Sequence, residues 1–97
     1  MAACSYETII YDGVGWSGSS RIICQGTSYY SLSSITFDNA TSSISQTDQL
    51  GHGFIYYTGP GYTDSSFKAC GTQSYYSLSS PFNDSISSIL ATTSCPQ

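Results

Sequence analysis

Two short segments, DNATSS at residues 38–43 and NDSISS at residues 83–88, concentrate side chains that end in oxygen. Each segment places a carboxylate, an amide and hydroxyl groups close together along the chain. Hard cations such as calcium are held by about six to eight oxygen atoms from such groups and from backbone carbonyls. One segment of this kind would be weak evidence in a serine-rich chain. Two at matching places in a repeat predict a pair of cation sites.

The acidic and amide residues of these segments also have a structural alternative. Asp38, Asn39, Asn83 and Asp84 are typical turn residues, because their side chains hydrogen-bond to nearby backbone groups. An N-x-[ST] acceptor pattern for N-glycosylation begins at both Asn39 and Asn83. A glycan on Asn39 would obstruct a cation site there. Cation binding is the interpretation we favour, because the two segments recur at equivalent places.

Residues that could support catalysis are few. His52 is the single histidine of the chain. It lies in a predicted linker, so a serine nucleophile would lack a base. The carboxyl groups of Asp12, Asp38 and Asp84 would need a cleft to act as a glycosidase pair, and 97 residues leave little room for one. We therefore expect that the protein is not an enzyme.

The charge balance limits the partners. The chain has 6 acidic residues against 2 basic ones, a net charge of −4. Nucleic acid is not expected as a partner, because its phosphates require several cations, and an anionic membrane surface is disfavoured for the same reason. Apolar runs of three or four residues are too short for membrane insertion. A metal cation is the partner that the balance favours, and we expect a monomer or a weak homodimer.

The cysteines, at positions 4, 24, 70 and 95, are too far apart for a CxxC redox pair or a zinc ribbon. Four cysteines in a short, lysine-poor chain favour an oxidising compartment, with three possible pairings. Free thiols packed in a β core are the alternative. Extracellular localisation is thus slightly favoured over cytoplasmic.

An internal repeat governs the architecture. Residues 9–35 return as residues 55–81, and SYYSLSS is identical in both copies. FDNATSSI at 37–44 matches FNDSISSI at 82–89. A half of this length cannot bury a core alone, so the two copies are expected to pack face to face. Of the paired tyrosines in SYYSLSS, one ring should face the core and the other should cover a sheet edge.

The local patterns are those of β-strands. β-branched and aromatic runs end in glycine-rich turns and are followed by returning runs. The predicted strands are 8–11, 21–24, 54–57 and 67–70, with a further strand starting near Ser43 and near Ser88. Residues 31–34 are compatible with a single helical turn. We predict an all-β sandwich of two antiparallel sheets from two tandem Greek-key motifs. The predicted single domain spans 1–97, with motifs at about 6–45 and 54–91 and a linker at about 46–53.

The hairpins carry a family resemblance. In the first copy, Tyr11 is followed after four residues by WSG at 16–18, an aromatic-x-Gly corner. An aromatic ring fills such a corner while the glycine adopts a backbone angle barred to most residues. The pattern resembles the hairpin signature of βγ-crystallins. Ser43 and Ser88 stand where that family has the serine that holds the folded hairpin. The resemblance covers residues 6–91.

The second copy departs from this pattern. Tyr57 and Tyr62 are present, but Asp64 stands where the corner glycine is expected. Asp tolerates left-handed geometry better than most residues. We expect the fold to be kept and the second hairpin to be disturbed.

The resemblance also implies a ligand. The segments 38–43 and 83–88 are similar to the family's calcium motif, [ND][ND]xx[ST]S, which implies two calcium ions at sites shared between the motifs. The third position contributes a backbone carbonyl, the fifth a hydroxyl, the Asn/Asp pair a side-chain oxygen, and the residue after the first hairpin tyrosine another carbonyl. Each site is expected to hold about one carboxylate, from Asp38 or Asp84. The metal ligands implied in this way are Asp12, Asp38, Asn39, Ala40, Ser42, Thr58, Asn83, Asp84, Ser85 and Ser87.

Two functions remain open on these grounds. In the first, calcium stabilises the fold of a structural or stress-related domain. In the second, the same scaffold is a secreted, disulfide-stabilised effector, such as a killer-toxin-like or protease-inhibitor-like protein. Some members of the family have lost calcium binding and keep the motif only for its shape.

Overall fold

The computed structural model of the protein describes residues 6–49, 51–78 and 82–93. These ranges contain seven β-strands and one short 3-10 helix, η1. The elements in chain order are β1 (Glu7–Gly13), β2 (Ser17–Cys24), η1 (Leu32–Ile35), β3 (Ser43–Thr47), β4 (Gly53–Gly59), β5 (Thr63–Cys70), β6 (Gln73–Tyr75) and β7 (Ser88–Thr92). No helix in the described ranges is long and apolar enough to span a membrane. Cys4 and Cys95 lie outside the described residues.

The strands form two antiparallel sheets, in the orders β2-β1-β3-β6 and β5-β4-β7. The predicted all-β class and the four predicted strand runs are confirmed. η1 is the single turn that residues 31–34 allowed, with Ser31 as its N-cap and Thr36 in the left-handed region at its end.

The sheets exchange strands between the two copies. β6 belongs to the second copy but pairs with β3 of the first. Tyr29 of the first copy makes the equivalent pairing with Ile89, each backbone N–H donating to the other residue's carbonyl at 2.8 and 3.1 Å. Each copy therefore completes the sheet of the other, and neither sheet can form fully from one copy alone.

The core lies between the sheets. Side chains alternate along β1, so that Thr8 and Ile10 are buried while Ile9 and Tyr11 are only partly covered. The remaining members come from both copies and from the loops. The buried hydrophobic residues are Ile10, Ile23, Leu32, Phe37, Ile44, Phe54, Tyr56, Ala69, Leu78, Ile86 and Ile89.

A buried polar bridge crosses the core and joins the sheets. Tyr56 on β4 donates its hydroxyl to Gln46 Oε1 on β3 at 2.7 Å, and its oxygen lies 2.7 Å from the hydroxyl of Thr8 on β1. The amide of Gln46 donates to the carbonyls of Ala69 and Gly71. Desolvation by burial raises the pKa of Tyr56 strongly, although the hydrogen bond with Thr8 opposes the shift.

Both ends of the predicted linker, at about 46–53, lie in strands. Gln46 and Thr47 belong to β3, and Gly53 begins β4. The reason is tertiary, because the polar side chain of Gln46 finds its partners inside the sandwich and so the strand continues through it.

The two described cysteines support the expectation of an oxidised chain. Cys24 and Cys70, which occupy equivalent places in the two copies, are both disulfide-bonded.

Candidate metal centre

Both β-hairpins fold back over their sheets and are held by a serine. Ser43 Oγ donates to the carbonyl of Gly13 at 2.5 Å and accepts the backbone N–H of Trp16 at 2.9 Å. In the second copy Ser88 Oγ donates to the carbonyl of Gly59 at 2.6 Å and accepts the N–H of the corner tyrosine at 3.0 Å. The role predicted for Ser43 and Ser88 is confirmed in both motifs.

The second hairpin was expected to be disturbed at its corner, but the structure shows that the corner keeps its shape. Asp64 adopts φ 66°, close to the φ of 81° at Gly18 in the first corner. Both hairpins also show the same irregularity of register, between Tyr11 and Gly13 in one and between Tyr57 and Gly59 in the other. Asp tolerates the left-handed region because its short side chain can hydrogen-bond locally, so the corner keeps its shape without a glycine.

The register shifts fall at Asp12 and Thr58, the residues predicted to offer carbonyl oxygens. A bulge of this kind takes one residue out of the regular ladder and leaves it unpaired. The side chains of both residues hold the hairpins instead: Asp12 Oδ1 accepts the N–H of Ser19 at 2.9 Å, and Thr58 Oγ1 accepts that of Ser65 at 3.2 Å.

Backbone hydrogen bonds bring the motif serines beside these bulges. The N–H of Ser42 donates to the carbonyl of Tyr11 at 2.7 Å, next to Asp12. The N–H of Ser87 donates to the carbonyl of Tyr57 at 2.8 Å, next to Thr58. Each fifth-position hydroxyl of the motifs therefore lies close to the bulge of its own copy.

The second-position residues complete the pattern from the opposite copy. Ser42 Oγ donates to Asp84 Oδ1 at 2.8 Å, and Ser87 Oγ donates to Asn39 Oδ1 at 3.0 Å. Both acceptors have a left-handed backbone, with φ 56° at Asn39 and at Asp84. Two equivalent groups of oxygens result, each with contributions from both motifs.

We name these groups by their second-position residue. The Asp84 centre consists of Asp12, Ser42 and Asp84, with the carbonyl of Ser85 following Asp84 in the chain. The Asn39 centre consists of Thr58, Ser87 and Asn39, with the carbonyl of Ala40 following Asn39. Eight of the ten predicted ligand residues belong to these two groups.

The first-position residues, Asp38 and Asn83, are exposed, as are the second-position residues Asn39 and Asp84. The expectation that each site holds about one carboxylate, from Asp38 or Asp84, stays a prediction. The Asp84 centre carries a carboxylate, whereas the acceptor in the Asn39 centre is a neutral amide.

The donor set fits a hard cation. Every side-chain atom of the two centres that could serve as a ligand is a hydroxyl, amide or carboxylate oxygen, and the serine residues that supply the hydroxyls are only 5% and 4% exposed. Oxygen donors of this kind, together with backbone carbonyls, are those calcium takes. In the ranges that the structure describes, no three His, Cys, Asp or Glu side chains cluster together, and the two centres do not depend on such a cluster.

The exposed tyrosines, Tyr30 and Tyr76, contact the hairpin corners. The sequence predicted only that one ring of each tyrosine pair covers a sheet edge. The carbonyl of Tyr76 accepts the N–H of Gly15, and its ring lies edge-on to Trp16 with centroids 5.4 Å apart. Tyr30 makes the same contacts with Gly61 and the other corner aromatic. The identical SYYSLSS runs are the signal, because each tyrosine pair sends one ring towards the core and the other to the hairpin of the opposite copy.

His52 lies in the loop that precedes β4. It is half-buried, its N–H donates to the carbonyl of Gln49, and its carbonyl accepts the N–H of Gly71. These contacts give it a place in the loop that precedes β4.

Comparison with solved structures identifies the fold. A βγ-crystallin from Ciona intestinalis matches with a TM-score of 0.72 at 20% identity, covering 87% of this chain and 96% of that one. A βγ-crystallin domain from Clostridium beijerinckii matches with a TM-score of 0.71 at 15% identity, covering 90% and 98%. A structure concerned with the evolution of the eye-lens βγ-crystallin domain fold matches with a TM-score of 0.76 at 17% identity, covering 88% and 83%.

These similarities show that the protein has the βγ-crystallin fold, as the hairpin residues predicted. Comparison of the sequence with protein-family models gave no match, and comparison with curated proteins gave none either.

Proposed function

We propose that this βγ-crystallin-type domain binds two calcium ions, one at the Asp84 centre and one at the Asn39 centre, and that the ions stabilise the fold. The reciprocal pairing of Ser42 with Asp84 and of Ser87 with Asn39 is the observation that carries the proposal. A turn-forming role alone would be met within each loop, whereas these side chains meet across the two copies beside two bulged carbonyls.

The proposed ions would link the two copies of the repeat. At each centre one ion would be held by the first copy and the second copy together, so it would tie the two motifs to each other. Because such an ion binds the folded chain and not the unfolded one, it stabilises the domain by mass action, by about 2.7 kcal/mol at one hundred times the dissociation constant.

The two sites are expected to differ in affinity. The number of charged ligands is one of the features that set the strength of calcium sites. The Asp84 centre has a carboxylate in its hydroxyl pair and the Asn39 centre does not. Calcium therefore occupies the Asp84 centre first, and neither site reaches the affinity of carboxylate-rich buffering proteins.

A calcium titration followed by thermal unfolding tests the proposal. We expect calcium to raise the melting temperature of the parent protein. Ser42→Arg and Ser87→Arg should each remove the part of that rise that one centre contributes, because each variant places a cation at its centre. Ser74→Arg, at an exposed position on β6, is the matched control and should keep the rise. A melting temperature of the parent protein that is the same with calcium and with chelator would refute calcium binding.

The second candidate function is the secreted effector, which the disulfide-bonded Cys24 and Cys70 favour. In that role the disulfides would provide the stability and calcium would be incidental. Thiol counting together with calorimetry separates the two functions. Four oxidised cysteines and no heat of calcium binding would support the effector, whereas two calcium sites support the calcium-stabilised domain.

A further inference from the structure

The loops that carry the two centres are bonded to each other along their length. The N–H of Asn39 donates to the carbonyl of Ile86 at 3.0 Å, and the N–H of Asp84 donates to the carbonyl of Thr41 at 2.9 Å. These backbone bonds lie between the two side-chain pairs already described. Residues 39–42 and 84–87 are thus joined by four hydrogen bonds, two of backbone and two of side chains.

Each second-position residue is bonded to the other loop twice, through its backbone N–H and through its side chain. Asp84 is held through its N–H by Thr41, the residue before the serine that donates to its carboxylate. Asn39 is held in the same way by Ile86, the residue before Ser87. A loop that shifts at one centre therefore moves a ligand of the other centre as well.

Each hydroxyl pair also joins the two loops at one centre. In the structure each serine hydroxyl donates to the acidic or amide oxygen beside it. The serine oxygen keeps its lone pairs and the acceptor oxygen keeps a second one, so a cation could take both oxygens of a pair. Binding at one centre then requires both loops to adopt the geometry that the ion accepts, and that adjustment is shared.

We infer that the two centres act as one coupled unit, in which occupation of the Asp84 centre increases the affinity of the Asn39 centre for calcium, and the reverse. This inference rests on the proposed function for its calcium-binding part, but the coupling of the two loops is a property of the metal-free chain. Linkage requires the effect to be reciprocal. The first ion to bind sets the geometry of both loops, so the second ion binds to loops that already have the geometry it requires.

Unfolding experiments in the presence of a chelator test the loop coupling without metal. Ser42→Ala, Ser87→Ala and the double variant form a double-mutant cycle, with Ser74→Ala combined with each as the control for independent sites. We expect the effects of Ser42→Ala and Ser87→Ala on the free energy of unfolding to be non-additive, and the pairs with Ser74→Ala to be additive. Additive effects of the two motif serines would overturn the coupling.

Calorimetry with calcium tests the consequence. Ser42→Ala removes a ligand from the Asp84 centre only, so the remaining binding event belongs to the Asn39 centre, which fills second in the parent protein. We expect the dissociation constant of the Asn39 centre to rise about fivefold or more above that of the second binding event in the parent, within the usual range for coupled sites. Ser74→Ala should leave both binding events unchanged. An unaltered dissociation constant at the Asn39 centre in Ser42→Ala would show independent sites.

The two proposals fail in different ways. If the parent protein takes up no calcium, the proposed function fails and cooperative calcium binding fails with it. The metal-free cycle still decides whether the loops are coupled. If the parent binds two ions with the same affinities as the single-centre variants show, calcium binding stands and the coupling is wrong.

Discussion

The hydroxyl oxygens of Thr8 and Tyr56 lie 2.7 Å apart in the centre of the sandwich, although one residue belongs to each sheet. The tyrosine hydroxyl also donates to Gln46, so a continuous polar bridge crosses the apolar core. The first-copy equivalent of Tyr56 is Ile10, whose side chain has no polar atom and makes no such bridge. The two copies therefore differ at this core position, and the contribution of the bridge to stability can be measured.

Replacing Tyr56 by phenylalanine should destabilise the domain. The change keeps the ring but leaves buried oxygens of Gln46 and Thr8 without their partner, at an expected cost of about 1–3 kcal/mol. Urea unfolding measures the loss. Tyr57→Phe, on the same strand but half-buried, is the control and should change stability by less. Equal stability of Tyr56→Phe and the parent would mean that the bridge contributes nothing net.

The same tyrosine predicts a loss of stability at alkaline pH. Desolvation raises the pKa of Tyr56 in the folded protein above its usual value of 10.0. Above about pH 10 the unfolded chain releases the proton of this residue while the folded chain retains it, so unfolding becomes favoured as pH rises, by about 1.4 kcal/mol per pH unit for one proton. Below pH 10 both states keep the proton, and this contribution is constant.

Urea unfolding between pH 9 and pH 11 measures this dependence, these values being chosen to lie about one unit to either side of the usual tyrosine pKa. Tyr56→Phe should show a shallower loss of stability than the parent. Burial also raises the pKa of Tyr75, so some dependence is expected to remain in the variant. Tyr30→Phe, which alters an exposed ring, should follow the parent. Identical slopes for Tyr56→Phe and the parent would contradict the prediction.

The hairpin corners predict opposite effects at equivalent positions. A Cβ on Gly18 would overlap with Asp12 Oδ1, and the residue has φ 81°. Gly18→Ala should therefore cost about 1–2 kcal/mol. Asp64→Gly, at φ 66°, relieves a left-handed non-glycine residue and should raise stability or leave it unchanged. Thermal unfolding of both variants compares them, and a stabilising Gly18→Ala would show that the corner is not constrained in this way.

Exchanging charge between the centres should exchange their affinities. Asn39→Asp gives the Asn39 centre a carboxylate and should tighten calcium binding there, by about tenfold if the added charge contributes about 1.4 kcal/mol. Asp84→Asn should weaken binding at the Asp84 centre by a similar factor. Calorimetry of the single variants and of the double exchange tests this, and affinities that do not follow the carboxylate would argue against the assigned ligands.

Thr41 offers a test of the loop interior. It is fully buried, and its hydroxyl has no hydrogen-bond partner among the described residues, whereas the second copy has Ile86 at this position. Thr41→Val removes the unsatisfied hydroxyl and keeps the backbone carbonyl that binds Asp84. We expect a gain of up to about 1 kcal/mol in urea unfolding. Thr41→Ser keeps the hydroxyl but loses a methyl group, so it should be less stable than the parent.

Much of the candidate site could be predicted from the sequence, because its parts are local and occur twice. The strands follow from β-branched runs that stop at glycine. The roles of Ser43 and Ser88 follow from the resemblance of the hairpins to those of βγ-crystallins, although the two serines lie 27 and 26 residues after the corner aromatics. The expected disturbance by Asp64 was wrong because a short carboxylate side chain is compatible with left-handed geometry. Gln46 resembles a loop residue in the sequence, and only its partners in the core explain why β3 includes it.

The sequence by itself determined the repeat, the β class and the residue types that could bind a cation, since these depend on side-chain chemistry and on spacing along one segment. Only the tertiary structure decided which oxygens meet. Ser42 and Asp84 are 42 residues apart, and their contact depends on the exchange of strands between sheets and on the register of the two loops. Neither is encoded in a local pattern, because register is set by the packing of both copies against one core. The same packing places the carboxylate in one centre and the amide in the other.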